Sequence, residues 1–356
     1  MSYRLVSLVA LLTLGMASLG LAQNHPAKLQ LAQVAVTPPS NGREPVPVRA
    51  GLYVEEISGI DEGTNRFTLH GALDLEWRDP RLAFDTAKVG AKVKVYLEED
   101  ANEMLEKIWW PTVQFVNQIG KPTIENEELM ISSDGSVLFR EKISVALDSV
   151  FEMSKFPFDS QRLRVHLASF AYGSDELVFS VDKTIVGLSP TFRMSGWSML
   201  GVDEKVHERK GIRDRTSFSE IEADVSIQRV PGFFVSKFFV PLAVVMLLLC
   251  GVLWVPPHDV KDRISATLTG MLTAAAYGFT ITTYLPAHVY DTFLDSIVIL
   301  SLVYSSLLMI ENVVSYHYHS SERTAKALRL DRICRFAFPL VFLLSMLCLA
   351  KAYGVL

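Results

Sequence analysis

From about residue 48 to residue 230 the chain alternates between apolar and polar positions. Leu163, Val165 and Leu167 are separated by Arg164 and His166. Ile221, Ala223, Val225 and Ile227 are separated by Glu222, Asp224 and Ser226. A period of two with one polar face predicts half-buried antiparallel strands. Ser133-Asp134-Gly135-Ser136 stands between apolar runs, and Asp-Gly between two strands predicts a hairpin turn. About ten strands fit at this spacing, with no long amphipathic helix among them, so the pattern predicts an immunoglobulin-like β-sandwich. After residue 230 the pattern changes to four apolar runs: Phe238–Val255, Ile264–Tyr290, Phe293–Tyr316 and Phe336–Ala350. At 1.5 Å per residue each is long enough, or nearly so, for an apolar layer of about 30 Å. Helices are predicted over about 233–255, 263–285, 292–317 and 332–354, an all-α four-helix transmembrane bundle. Pro241 is expected to kink the first of them by removing a backbone donor.

Composition sharpens this division. The chain has 356 residues, 49% of them hydrophobic and 21% charged, with a net charge of -5. Residues 231–356 carry 7 acids and 9 bases, and residues 23–230 carry 32 acids and 24 bases. An acidic polar part is thus joined to an apolar, nearly neutral one. That excludes intrinsic disorder, a basic nucleic-acid binder and a single globular domain. Residues 1–22 read as a cleavable signal peptide: Arg4, an apolar stretch Leu5–Leu14, and Gly20-Leu21-Ala22 before Gln23. The Pro- and Ser-rich stretch 23–47 reads as a flexible lead-in, followed by an exported domain at 48–230 and a membrane domain at 231–356. Export of the polar half leaves the connection between the third and fourth runs on the cytoplasmic side. Arg323, Lys326, Arg329, Arg332 and Arg335 concentrate there, whereas Leu285–Asp291 has neither Lys nor Arg, in keeping with positive charge inside. A bacterial inner membrane, with the N-terminal domain periplasmic or extracellular, is the expected location.

The chemistry of catalysis is missing. There is no Gly-rich phosphate loop, no Gly-x-Ser-x-Gly elbow and no metal-spaced Cys/His cluster, so neither an enzyme nor a cofactor is expected. His317-x-His319, at the cytoplasmic end of the third run, reads as an interfacial pair, and Glu311 as an interfacial side chain. The three cysteines, Cys250, Cys334 and Cys348, all lie in the membrane half, so the exported half must fold on its apolar core alone.

The second apolar run differs from the others. Ser265, Thr269, Leu272, Ala276, Phe279 and Thr283 recur at steps of three and four and share one helical face. The face is hydroxylic at both ends and apolar between them. Packing by small polar residues is one reading. The charges of Lys261-Asp262-Arg263 at its inner end favour another: a charged ring at a pore mouth, hydroxyls replacing part of an ion's hydration shell, and a Leu ring that closes by dewetting. One such helix makes no pore, so that reading requires an oligomeric ring.

An ordered set of motifs now resembles a known family. Trp77-Arg78-Asp79-Pro80-Arg81-Leu82, Trp109-Trp110-Pro111 followed by Asn117, Phe156-Pro157-Phe158-Asp159-Ser160-Gln161, Arg229-Val230-Pro231, and Tyr284-Leu285-Pro286 with Tyr290-Asp291-Thr292 occur in its order. They resemble the pentameric ligand-gated ion channels, the Cys-loop receptor superfamily, and its prokaryotic branch in particular. Ser149 and Leu163 stand where eukaryotic relatives have the signature cysteines, and the connection before the fourth helix is short. The resemblance implies a homopentamer in a lipid bilayer, with the second helix lining the pore.

It further implies an extracellular agonist site between neighbouring sandwiches. Phe170 and Tyr172 match one binding loop, Asn117 and Gln118 the preceding one, and Phe218 flanks the capping loop, while Trp77 is expected in the core. Aromatic rings suit a cationic amine. The bases Lys210, Arg213 and Arg215 suit an anion, so a small-molecule agonist of either sign, or protons, stays open. Coupling is implied for Asp159 and Arg229 as a bidentate pair, with Asp61 and Glu62 near them and Pro286 and Tyr290 beneath. Asp262 before Arg263, with no Pro-Ala preceding it, resembles cation-selective members, and monovalent cations are the expected permeant ions. Lys261 keeps an anion-selective channel open, and a non-conducting membrane-anchored receptor is the remaining alternative.

Overall fold

The computed structural model describes residues 36–40, 44–181, 187–211, 216–281 and 291–356. Two sheets face each other. The first runs in the order β3 (Val93–Leu97), β5 (Thr123–Ser132), β6 (Ser136–Asp148), β2 (Arg66–Arg78), β1 (Val46–Asp61) and β8 (Leu177–Val181), with β9 (Gly187–Arg193) also pairing with β1. The second runs β10 (Trp197–Lys210), β11 (Ser217–Arg229), β7 (Ser160–Ser169) and β4 (Val113–Phe115). Ladders are antiparallel except β1 with β8 and with β9. The alternation holds residue by residue: Ile221, Ala223, Val225 and Ile227 of β11 are buried, as are Leu163, Val165 and Leu167 of β7. They pack with Phe67, Leu69, Trp109, Phe139 and Val145 in a continuous core between the sheets. A short helix, Glu98–Leu105, which periodicity did not reveal, leans on β5 and buries Ala101 and Leu105.

The expected hairpin turn joins β5 to β6. Gly135 takes φ +84°, and a Cβ there would stand 2.4 Å from the Asp79 carbonyl oxygen. The Asp134 carboxylate closes the turn by accepting from the Ser136 N–H and hydroxyl, each at 3.0 Å. The turn thereby rests on the Trp77–Leu82 segment, where the Asp79 N–H donates to the Gly135 carbonyl at 2.8 Å. Buried Asp79 accepts two bonds from the Arg81 guanidinium, at 2.8 and 2.7 Å.

Four helices follow: Gly232–Trp254, Val260–Ile281, Phe293–Ser320 and Thr324–Ala352, each long and apolar enough to cross a membrane. Three details differ from the sequence reading. The fourth helix begins at Thr324 rather than near 332, because Ala327, Asp331 and Cys334 face the bundle at helical spacing, and Lys326, Arg329 and Arg332 ride on the opposite side. The first helix carries a π turn at Val235–Phe239 just before Pro241, with the Val240 N–H donating to the Val235 carbonyl. Glu311 is 6% exposed and lies inside the bundle rather than at its surface.

A carboxyl of β6 lies in the core-facing phase of the sandwich. Glu141 shares the core-facing phase of Phe139 and Ile143, opposite Leu73 of β2 and Glu127 of β5. Glu127 is bonded by the Asn102 amide of the short helix. Burial, and then the charge of Glu127, push the Glu141 carboxyl up from an ordinary 4.5 to about 7. The folded state therefore binds more protons than the unfolded state between these values. The contribution of this group to stability is then fully present below about 4.5 and is lost as pH rises through about 7. Thermal melts across this window should show the decline, and Glu141→Gln should flatten it. In the same assay Gly135→Ala should lower Tm, with a cost of about 1–3 kcal/mol from strained φ and the clash with Asp79.

Candidate functional site

The joint between sandwich and helices is built around Arg229, the last residue of β11. Its guanidinium is 8% exposed. Nε donates to Asp159 Oδ1 at 2.8 Å and Nη2 to Asp159 Oδ2 at 3.1 Å. Nη2 also donates to Glu62 Oε1 at 2.8 Å. The cation lies 4.7 Å from the Phe156 ring and 4.1 Å from the Trp197 ring. Two carboxylates and two aromatic faces thus surround one buried cation, an arrangement that planar guanidinium satisfies and ammonium does not. Gln161 fixes the geometry: its amide donates to Asp159 Oδ2 at 2.6 Å and to the Glu152 carbonyl at 2.8 Å.

Asp61 does not join this cluster. Its carboxylate caps its own turn, accepting from the N–H groups of Gly63 and Thr64 and from the Thr64 hydroxyl at 2.6 Å. The hydroxyl and N–H of Thr64 hold the Asp61 carboxyl below its usual value. Glu62 is the acid that reaches Arg229. From the joint, the loop at 149–159 touches three helices. Phe156 packs on Phe234, Phe158 packs on Phe239 and Phe293, and the Phe293 N–H donates to the Ser154 carbonyl at 2.9 Å. Lys155 Nζ donates to the Gly354 carbonyl at the end of the fourth helix, at 3.2 Å. No disulfide closes this loop. The Ser149 hydroxyl instead donates to the Arg162 carbonyl at 3.1 Å and accepts from the Arg164 N–H at 3.5 Å, bracketing Leu163.

At the far end of β7, Phe170 is 69% exposed, and its N–H donates to the Thr112 carbonyl at 2.8 Å. Tyr172 is half-buried, its ring 5.5 Å from that of Trp109, and burial raises its hydroxyl above the ordinary value. Phe218 opens β11 close by: the Ser174 N–H donates to the Ser217 carbonyl at 2.7 Å. Phe170, Tyr172 and Phe218 therefore share one end of the second sheet. Asn117 and Gln118 lie elsewhere. The Asn117 amide donates to the carbonyls of Asp148 and Arg164 and accepts from the His166 N–H, so it staples β6 to β7. Gln118 forms a bridge with Leu147. Trp77 is buried, edge-on to Trp109.

Sequence reasoning missed Thr112 and a charged group beside this end. On the outer face, Glu220 is only 2% exposed. It accepts from His166 Nδ1 at 2.7 Å, with Arg209 and His207 beside it. Burial works to raise its carboxyl, but these bases outweigh burial and hold it below the usual value. Glu220, Glu222 and Asp224 in alternation were the only signal, and alternation does not show which of three acids is covered.

On the second helix, Asp262, Ser265, Thr269, Leu272, Ala276 and Phe279 are all exposed in the single chain, while Arg263, Thr267, Ala274 and Ile281 are buried against the other helices. The Thr269 and Thr273 hydroxyls each donate to the carbonyl four residues earlier, at 2.9 and 2.8 Å. Thr283, Pro286, Tyr290, the loop bases Arg213 and Arg215, and residues 1–22 lie outside the described residues. Among the described residues no group of His, Cys, Asp and Glu has the arrangement of a metal site.

Comparison with known proteins agrees with this geometry. The model of the neurotransmitter-gated ion-channel ligand binding domain matches residues 31–231. A proton-gated ion channel of Gloeobacter violaceus is 26% identical over 314 residues, covering 88% of this chain and 85% of that protein. The human gamma-aminobutyric acid receptor subunit rho-3 is 26% identical over 283 residues, covering 78% of this chain and 58% of the subunit. A gamma-aminobutyric acid receptor subunit beta-like protein of Drosophila melanogaster is 24% identical, covering 83% of this chain and 61% of its own length. This chain thus spans about three-fifths of those receptor subunits. The family model covers more than half of the chain, the sandwich precedes four membrane-length helices, and the motifs keep their order. The chain belongs to the pentameric ligand-gated ion channels, membrane proteins with an extracellular domain that are not enzymes.

Proposed function

We propose that five copies of this chain form a cation-selective channel in a bacterial inner membrane, opened by an extracellular agonist bound between neighbouring sandwiches. The observation that supports the pore is the division of the second helix into two faces. Leu272 and Phe279 are 70% and 77% exposed in the single chain, in line with the hydroxyls of Ser265 and Thr269 and the carboxylate of Asp262. Exposed apolar side chains on the other helices can meet lipid, but a stripe that also carries hydroxyls and a carboxylate does not suit lipid. A five-fold ring that turns this face inward gives it a place: an apolar constriction in mid-pore, wetted when the helices part. Asp262 lies in the first turn of the helix, where the positive end of the macrodipole stabilises its charge. A ring of five such carboxylates concentrates cations at the inner mouth, and the net charge of -8 over residues 23–230 does so at the outer one. Lys261 is exposed beside Asp262 and works against the first of these.

For the agonist, Phe170, Tyr172 and Phe218 supply aromatic surface at one end of the second sheet, suited to a small amine. Protons are a second reading, supported by Glu141, whose carboxyl titrates at about 7, and by the proton-gated relative. In either case the agonist needs only to favour the open state differentially, with the Arg229 cluster carrying the bias to the helices.

Reversal potentials in planar bilayers, measured while NaCl is diluted on one side, decide the ion sign. A shift toward the sodium equilibrium potential is expected, and a shift following chloride would sink the cation reading. Asp262→Ala should reduce cation preference. For coupling, Arg229→Ala leaves Asp159 and Glu62 facing each other without their cation. Agonist or proton responses should fall by about tenfold or vanish, while pentamers persist on size exclusion. Ordinary currents from that variant would refute the coupling role.

A further inference from the structure

At the cytoplasmic end of the helices lies a second buried charge cluster, unrelated to the agonist path. Arg263, at the base of the second helix, and Asp331, on the fourth, are both 0% exposed, and Arg263 Nη2 stands 3.1 Å from Asp331 Oδ2. The other Asp331 oxygen accepts from the Ser315 hydroxyl of the third helix at 2.6 Å. Beside this pair Asn312 Nδ2 donates to Thr267 Oγ1 at 2.8 Å, and Thr267 in turn donates to the Arg263 carbonyl at 2.8 Å. The first turns of the second helix are therefore tied to the third through Asn312 and to the fourth through Asp331.

Glu311 of the third helix completes the group. It faces Asp331 and Arg263, and neither of its oxygens has a hydrogen-bond partner, although it is 6% exposed. Arg335 of the fourth helix acts on it from further out, with its Nε committed to the Leu253 carbonyl at 2.9 Å and its guanidinium 5.4 Å from the Trp254 ring. Cys334 is the remaining titratable neighbour. One guanidinium thus sits among two buried carboxylates. Fully ionised, the two carboxylates would repel each other at membrane depth, with Arg335 held further out and both Glu311 oxygens unsatisfied, which is costly. A single proton removes that repulsion and supplies the donor that one carboxyl needs to bond the other, as in paired carboxylates elsewhere.

We propose that the Glu311–Asp331 pair is a proton-binding site within the membrane domain, filled from the cytoplasmic side, and that its proton sets how tightly the base of the second helix is held. With the proton bound, Arg263 and Asp331 form a neutral pair and the base of the helix is locked to its neighbours. Without it, two carboxylates compete for Arg263 and repel each other, and the lock loosens. The site lies opposite the sandwich, so it responds to cytoplasmic rather than extracellular pH.

Infrared difference spectroscopy of the full chain in lipid vesicles tests the proton directly. The Glu141→Gln background removes the sandwich carboxyl that would contribute to the same band. A protonated-carboxyl band is expected at neutral pH, to shift when glutamate and aspartate are carboxyl-labelled with carbon-13, and to be lost in the further variant Glu311→Gln. Absence of any label-sensitive acid band would overturn the proposal, and that reading needs no second variant to fold. The consequence for gating rests on the channel reading above and has its own measurement. Alkalinisation of the cytoplasmic side should change open probability in the wild-type protein and leave Glu311→Gln unmoved. An equal response in both would overturn the link to the pore helix, and a wild-type protein that carries no current at all would refute the channel reading while leaving the infrared result to stand.

Discussion

Among the described residues, one buried cation ties the two loops at the foot of the sandwich to the strand that leads into the first helix. Arg229 ends the last strand and stands three residues before the first helix, so it belongs to both domains by position alone. Its bonds to Asp159 and Glu62 draw the two loops at the foot of the sandwich onto the same atom group. The rings of Phe156 and Trp197 exclude water from it, and exclusion raises the value of each ionic bond. A buried charge of this kind tolerates no partial arrangement: with either loop withdrawn, a charge is left without its partner. In the proposed coupling the loops at 61–62 and 149–159 move together, and Phe158, packed on Phe239 and Phe293, is placed to pass that movement to the helices. Interfaces of this type have discrete states rather than a continuum, which is what a gate requires.

The membrane domain solves a different problem. Its second helix is held firmly on one side, and in the proposed pore its other side meets copies of itself. Arg263, Thr267, Ala274 and Ile281 do the holding, through polar bonds at the base and apolar contacts above. Gly270 allows the close approach on which this depends, since a Cβ there would meet Leu249 of the first helix at 2.4 Å. The face carrying Thr269 and Leu272 is then free to meet copies of itself. The threonine hydroxyls on this helix are bonded back to their own backbone, which spends their donors and leaves oxygen lone pairs outward, the polarity that suits a cation.

How much of this was legible in the sequence follows from the length scale of each signal. Strand phase was readable because burial repeats every two residues, and Ile221 to Ile227 kept that phase without exception. The exposed stripe on the second helix was readable for the same reason at a period of 3.6. Pairings between distant segments left no local trace. Asp61 and Glu62 are adjacent acids, and the choice between them turns on Thr64, whose N–H and hydroxyl capture Asp61 and leave Glu62 to reach across 167 residues to Arg229. Glu311 looked like an interfacial side chain because its partners, Arg263 and Asp331, come from two other helices. Asn117 stood in the right motif for a binding residue, but its amide is consumed by three backbone groups of β6 and β7 that only the packing of the two sheets brings together. Ser149 gave no sign that a hydroxyl would close the loop where relatives have a disulfide.

That last substitution bears on how the joint works. A disulfide would fix the ends of the loop by a covalent bond whatever the loop does. The Ser149 hydroxyl fixes them through bonds of 3.1 and 3.5 Å to the backbone on either side of Leu163, which depend on the register of β7. The same register places Gln161 against Asp159 and lays β7 along β11, whose last residue is Arg229. Loop closure, strand register and the charge cluster are thus one cooperative unit rather than three separate supports. A small displacement of β11 at the Phe218 end is carried along the Glu220–Gln228 ladder to β7 and reaches Asp159 within the same hydrogen-bonded sheet. A hydrogen-bonded ladder with a candidate agonist surface at one end and a buried ionic joint at the other has the mechanical layout that ligand gating demands.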